Sequence, residues 1–377
     1  MKIRAVTLTP VAYPAPHPLR WGWGERDTMG DTIIQVDTDE GLVGIAPATG
    51  PIRGQRAMLE DTLLPILVGQ NPLDVERLWA QMARGLRGGW PGELVGGIDI
   101  ALWDILARAA GLPLYRVLGA YRDRVPCYIA PSMRQPEVLV EELEQYKAQG
   151  FGAIKLRIGL GPVGWADGPR DQSRDVAILR RARDVLGEGF AIGADTDRTY
   201  DYALAARLAP VVQEVGLAWF EEPVVVGERE QYVRDFLRLR DVIRVPLSGG
   251  QGFFGPGQFD ELICRSVVDV VQPDACACGG ITPLRKVSAM AAGRGLQFMP
   301  HVSCHSGHDL RVVATAHMLA STPNGLWLCY PAYDTPLRTE LVKEPPLVKD
   351  GELHLSDRPG LGLELDKRAL ERLRTDV

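Results

Sequence analysis

Eight short apolar runs recur from about residue 126 onward: VPCYIA, FGAIKL, GFAIGAD, GLAWFEE, RVPLSG, VVDVVQPD, GLQFMPH and GLWLCY. Between them lie stretches such as PEVLVEELEQYKAQG and TPLRKVSAMAAGRG, which read as amphipathic helices. The recurrence is about 25–30 residues, typical of βα units in a parallel sheet. Eight such units predict a closed barrel. The same alternation can build an open doubly wound sheet, which wants a glycine-rich phosphate turn after its first strand. YIAPSMRQPE offers none, so the barrel is the expected fold. With 377 residues the chain also has room for a smaller second domain.

The part before the barrel, residues 1–125, reads as mixed α+β. TIIQVDTDEGLVGIAPA predicts two strands around a DEG turn. LWAQMARGL and GGIDIALWDILARAAG carry apolar residues at helical spacing. Between Tyr13 and Met29, YPAPHPLRWGWGERDTM is rich in Pro, Trp and Gly and reads as a mobile loop. The barrel is expected over 126–335. A Pro-rich stretch, TPLRTELVKEPPLVKDG, then leads into a C-terminal segment, 336–377.

Composition removes several classes. A net charge of −6 argues against a nucleic-acid binder. No apolar run approaches the ~18 residues of a membrane span, and MKIRAVTLTPVAYPAP lacks the long apolar core of a signal peptide. Six cysteines without a CxxC pair suggest reduced thiols in a cytoplasmic protein. Those in CAC (Cys276, Cys278) and HVSCH (Cys304) read first as small buried residues.

In barrels the chemistry sits at the carboxyl ends of the strands. The second run ends with Lys155 and Arg157, the third with Asp195 and Asp197, and the fourth with Glu221 and Glu222. The sixth ends with Asp274 and the seventh with His301. No such set stands at the starts of the runs. Each residue has a structural alternative. Asp195 would cap the next helix. Glu222, before Pro223, would be a solvated turn residue. Lys155 and Arg157 would pair with barrel carboxylates, and His301 would be a satisfied core histidine. Taken together, five strand ends would each need a separate explanation.

Lys155 and Arg157 are two apart, so they share one face of a strand, and two buried cations need an anion. Carboxylates on neighbouring strands suit Mg²⁺ with open positions for a substrate. Such an ion stabilises a developing oxyanion. A His paired with an Asp is a general base of fixed tautomer. The set describes removal of a proton next to a carboxylate, through an enediolate whose charge the cations answer. A zinc site from His301, His305 and His308 is a rival reading, weakened because the segment starts on a strand end.

These motifs resemble the enolase superfamily, in particular its mandelate racemase/muconate lactonizing enzyme-like members and among them the acid-sugar dehydratases. DIALWDILARAAGLPLYRVLG, the KxR of IKLRIG, the DxD of GADTD, WFEEP, VVQPDACACGGIT and MPHVS fall in the family's order nearly end to end. The resemblance implies an N-terminal α+β capping domain completed by the C-terminal tail, on a (β/α)7β TIM-like barrel. It implies Mg²⁺, with Mn²⁺ as a substitute, at Asp195 and Glu221. It implies a His301–Asp274 dyad and Lys155 and Arg157 as the basic pair. Arg20, Trp21, Trp23 and Arg26, on the family's mobile specificity loop (about 13–29), would meet a small carboxylate substrate. A homo-oligomer, dimer or octamer, is also implied.

Two positions depart from that pattern. The third metal ligand is normally a Glu, and LSGGQGFFG puts Gln251 there. Asp197 stands where the family more often has Asn and is a candidate substitute ligand, a substrate contact or a helix cap. GLWLCY places Cys329 where the family often has a Glu that binds the substrate carboxylate. A thiol is a weak donor there.

Arg157 is a poor base and a good anion clamp, which leaves His301 as the main base, on one face. One base can remove the α-proton and, as imidazolium, help expel a β-hydroxyl. Dehydration of an acid sugar is therefore the first expectation. Racemisation or epimerisation, with Lys155 as second base, comes next, and cycloisomerisation after it. A binding homologue that has lost catalysis at Gln251 and Cys329 is the alternative of another class.

Overall fold

The computed structural model describes the chain except residues 22–23, 86–91, 133–135, 160–171, 226, 304–308 and 377. The eight apolar runs are eight strands: β4 (Arg124–Ala130), β5 (Ala153–Arg157), β6 (Ala191–Asp195), β7 (Trp219–Glu221), β8 (Leu247–Gly249), β9 (Val270–Val271), β10 (Gln297–Phe298) and β11 (Leu328–Pro331). They pair in parallel in chain order from β4 to β10. β11 pairs with β4, and a parallel bridge from Phe298 to Gly325 closes the ring. Helices such as Pro136–Ala148 and Ile281–Gly293 lie between successive strands.

Ahead of the barrel, β1 (Ile3–Trp21), β2 (Gly24–Thr38) and β3 (Val43–Ala48) form an antiparallel sheet in that order. The DEG turn joins β2 to β3, with Asp37 paired to Val43. The helix Gly92–Ala109 is apolar and buried over most of its surface because it packs between this sheet and the barrel. Gly96 makes that fit possible: a Cβ there would lie 2.1 Å from the Cys276 carbonyl oxygen.

Among its described residues, the Tyr13–Met29 segment is strand and not loop. It is the distal part of the β1–β2 hairpin, paired Tyr13 to Met29 and Pro14 to Thr28, then, after a register shift, Leu19 to Arg26 and Trp21 to Gly24. β1 is an edge strand, where proline costs no ladder bond, and the shift falls on the proline-rich stretch. Burial of Tyr13, Leu19 and Met29 holds the pairing.

After the barrel, the hairpin β12 (Leu347–Lys349) and β13 (Glu352–His354) adds antiparallel to β4. The tail then returns to the first domain, where Thr375 N donates to Pro10 O at 3.0 Å. No helix among the described residues is long and apolar enough to cross a membrane.

Candidate active site

Register places the site. Lys155 lies beside Gly193, and Arg157, Asp195 and Glu221 fall in one row across β5, β6 and β7. A Cβ at Gly193 would meet the Trp219 ring at 2.0 Å, so the missing side chain admits the indole into the barrel. Trp219 packs against Tyr128 and Trp327, with ring centroids 5.2 and 5.6 Å away, and these aromatics surround the polar row.

Lys155 is buried between two carboxylates, 2.7 Å from Glu221 Oε1 and 3.1 Å from Asp195 Oδ2. Burial alone would lower its pKa, but Asp195 and Glu221 outweigh that and hold the ammonium charged well above its ordinary range. In turn Lys155 and Arg157 pull the Asp195 carboxyl down against its burial. Arg157 reaches Asp195 and Asp197, 3.9 Å from each. Glu221 Oε2 accepts from Trp219 Nε1 at 3.0 Å and from Gln272 Nε2 at 2.8 Å. Sequence reasoning missed both donors, although Trp219 stands two residues before Glu221 on β7 and so shares its strand face.

Asp195 caps no helix. Its Oδ1 accepts from Asp197 N at 2.7 Å, and the next helix is capped by Asp201. Nor is Glu222 a solvated turn residue. It is buried, and its carboxylate accepts from Gly250 N, Gln251 N and Tyr232 Oη at 2.9–3.1 Å, bracing the turn that carries Gln251. Asp197, Arg198 and Glu222 have φ of 50°, 61° and 45°. Such left-handed backbone away from glycine is strained and collects at functional sites.

Gln251 Nε2 donates to Asp197 Oδ1 at 3.4 Å, while the buried Gln251 Oε1 has no hydrogen-bond partner. Among the described residues no three His, Cys, Asp or Glu side chains are grouped to hold a metal ion. Two carboxylates, Asp195 and Glu221, stand side by side, and the orphaned Gln251 oxygen is a third hard donor on the next strand's turn. That donor set fits Mg²⁺. Burial and the Asp195 charge push the Asp197 carboxyl up.

On the facing side, Asp274 and His301 are joined by a backbone bridge, and His301 Nδ1 lies 3.0 Å from Asp274 Oδ2. Asp274 is buried, yet Arg311 and His301 hold its carboxyl well below the usual range. Cys329 is fully buried on β11, close enough to bear electrostatically on Lys155. Cys276 and Cys278 are also buried, and burial raises both thiols.

Arg26 is exposed on β2. Trp23, the side chains of Arg20 and Trp21, and His305, His308 and Cys304 lie outside the described residues, as does 160–171.

Two family models match the chain. "Mandelate racemase / muconate lactonizing enzyme, N-terminal domain" matches residues 3–119, and "Enolase C-terminal domain-like" matches 138–369. The chain is 27% identical to D-galactarolactone cycloisomerase of Agrobacterium fabrum, over 99% of each protein. It is 30% identical to L-talarate/galactarate dehydratase of Salmonella typhimurium, over 80% of this chain and 72% of that protein. A racemase from Streptomyces coelicolor, solved with bound magnesium, shares the fold at a TM-score of 0.86 and 24% identity, covering 99% of this chain and all of that one.

Proposed function

The chain belongs to the mandelate racemase/muconate lactonizing enzyme family of the enolase superfamily, and from that premise we propose that it is a Mg²⁺-dependent dehydratase of polyhydroxy carboxylates. The observation that carries this reading is the asymmetry of the site. One side holds a histidine–aspartate dyad, and the other holds Lys155, ion-paired to Asp195 and Glu221, and Arg157, a guanidinium that is a poor base. Lys155 lies between Asp195 and Glu221, and Arg157 stays protonated in any ordinary setting.

Asp195, Glu221 and the Gln251 amide oxygen would hold Mg²⁺, which supplies positive charge against the oxyanion that forms as the α-proton leaves. Arg157 and Lys155 draw the substrate carboxylate to that row. With Nδ1–H donated to Asp274, His301 presents Nε2 as the basic nitrogen. Nε2 takes the α-proton and returns it to the β-hydroxyl. The Cβ–O bond then breaks, water leaves, and the enol product rearranges to a 2-keto-3-deoxy acid. The hairpin around Arg20, Trp21, Trp23 and Arg26 would select among acids, and Cys329 would border the carboxylate end of the pocket. The same reading takes residues 1–125 as cap, 126–335 as barrel and 336–377 as returning tail. It also takes the protein as a cytoplasmic homo-oligomer, dimer or octamer, that accepts Mn²⁺ in place of Mg²⁺.

Cycloisomerisation is the second reading, because it too needs one base and a cycloisomerase matches the chain end to end. Proton NMR in D₂O with Mg²⁺, over a panel of acid sugars and their lactones, separates the two. Dehydration predicts loss of the α-proton together with a 2-keto-3-deoxy product. A 2-keto-3-deoxy acid formed from a lactone by elimination of its ring oxygen, with the open-chain acids left unchanged, would favour the cycloisomerase. Deuterium exchange that leaves an epimer and no elimination would overturn the one-base reading.

A further inference from the structure

Arg311 is fully buried in the helix Asp309–Ala320, and its guanidinium joins the two domains. Its Nη1 donates to Asp274 Oδ1 at 3.0 Å. Its Nη2 faces the cap, 2.9 Å from Glu93 Oε2, 2.8 Å from Thr49 Oγ1 and 3.7 Å from Asp31 Oδ2. The three cap residues come from separate elements. Asp31 is on β2, Thr49 follows β3, and Glu93 opens the helix Gly92–Ala109. Glu93 Oε2 also accepts from Thr49 N at 3.2 Å. A few residues on, the same helix brings Gly96 against the carbonyl of Cys276, whose N–H donates to Asp274 Oδ1 at 2.8 Å.

Asp274 divides its two oxygens. Oδ1 accepts from Arg311, Cys276 N and Ala277 N, while among the described residues Oδ2 faces His301 Nδ1. A buried guanidinium beside Asp274, left to itself, would neutralise the charge that His301 needs when it takes up a proton. Here two cap carboxylates share that guanidinium.

We propose that Glu93 and Asp31 are positioning residues for the general base: through Arg311 they leave Asp274 enough charge, and the right orientation, to hold His301 with Nδ1 protonated and Nε2 basic. The cap thereby becomes part of the base and not only the lid over it. The role of His301 as base rests on the function proposed above, but the hydrogen bond at its Nδ1 is readable without any turnover.

The test is histidine ¹⁵N-edited NMR of the full-length protein at one neutral pH, with the His301 signals assigned by their loss in His301→Asn. Wild type should show the Nδ1–H tautomer, with a proton shifted downfield by Asp274. Glu93→Gln should move that proton upfield and raise the Nε2–H population. On any acid sugar the enzyme turns over, it should lower kcat about tenfold with KM changed less than about twofold. Glu93→Asp, which keeps the charge, should restore most of both. Asp31→Asn serves as the second variant should Glu93→Gln fold poorly, and the same upfield shift is expected. Unchanged His301 signals in a folded Glu93→Gln or Asp31→Asn protein would overturn the proposal. So would an effect that Glu93→Asp does not rescue. If the signals shift but no acid is dehydrated, the cap's hold on His301 stands and the assigned reaction falls.

Discussion

Gln251 stands where the family resemblance leads one to expect a Glu, and its side chain is already aimed. The amide nitrogen turns to Asp197, the oxygen is left buried without a partner, and Glu222 braces the backbone beneath. A carbonyl oxygen in that place binds a hard cation more weakly than a carboxylate does. Gln251→Glu should therefore tighten Mg²⁺ binding by about tenfold, ~1.4 kcal/mol, in calorimetry. Unchanged affinity would take Gln251 out of the ligand set and point to Asp197 or water. The ionisable residues of the site were legible because a strand repeats every two residues and barrel chemistry gathers at strand ends. Lys155 and Arg157 are the plainest case. Glu222 was not legible. Its position before Pro223 suggests a solvated turn, and the groups that bury it, on Tyr232, Gly250 and Gln251, lie 10 to 29 residues further along.

At the scale of elements, the eight strands could be read from the sequence because each is a short apolar run between helices. The β1–β2 hairpin could not. Its prolines and glycines signal a loop, and only the edge position of β1 and the burial of Tyr13, Leu19 and Met29 make pairing the better state. The helix Asp309–Ala320 carries a histidine in its last turn. His317, the last-turn histidine, is wholly buried. Its Nδ1 accepts from Tyr115 N at 3.1 Å, and its other nitrogen donates to Leu361 O at 3.2 Å, tying the helix to the end of the cap and to the tail. Burial lowers its pKa to about 4 from an ordinary 6.5. Between those values the unfolded chain binds a proton that the folded one refuses, so stability is full above about pH 6.5 and falls as pH drops towards 4. The loss should reach about 3 kcal/mol. Denaturant titrations at pH 7 and pH 4.5 measure it, and in His317→Gln most of that difference should vanish. A difference of the same size in the variant would assign the acid sensitivity to other groups.

For the whole molecule, the barrel carries His301, Lys155 and Arg157, while the cap brings the buried carboxylates of Glu93 and Asp31 to Arg311. Arg311 could not be interpreted from its own stretch, DLRVVATAHMLA, where it is a lone cation among apolar neighbours. Its partners stand 37 residues away at Asp274 and 218 away at Glu93, and only the docking of the two domains brings them together. Long-range pairs of that kind leave no local pattern to read. Docking also decides the chemistry. On the proposed reading, His301 is braced from the cap through Asp274 and is the site's one base. The most direct test is α-proton exchange in D₂O, followed by NMR, for an acid sugar that the wild-type protein dehydrates, compared with His301→Asn at saturating Mg²⁺. The predicted result is that exchange and elimination both disappear while Mg²⁺ affinity is retained. Exchange that persists in His301→Asn would contradict the account and would move the base to the side of Lys155.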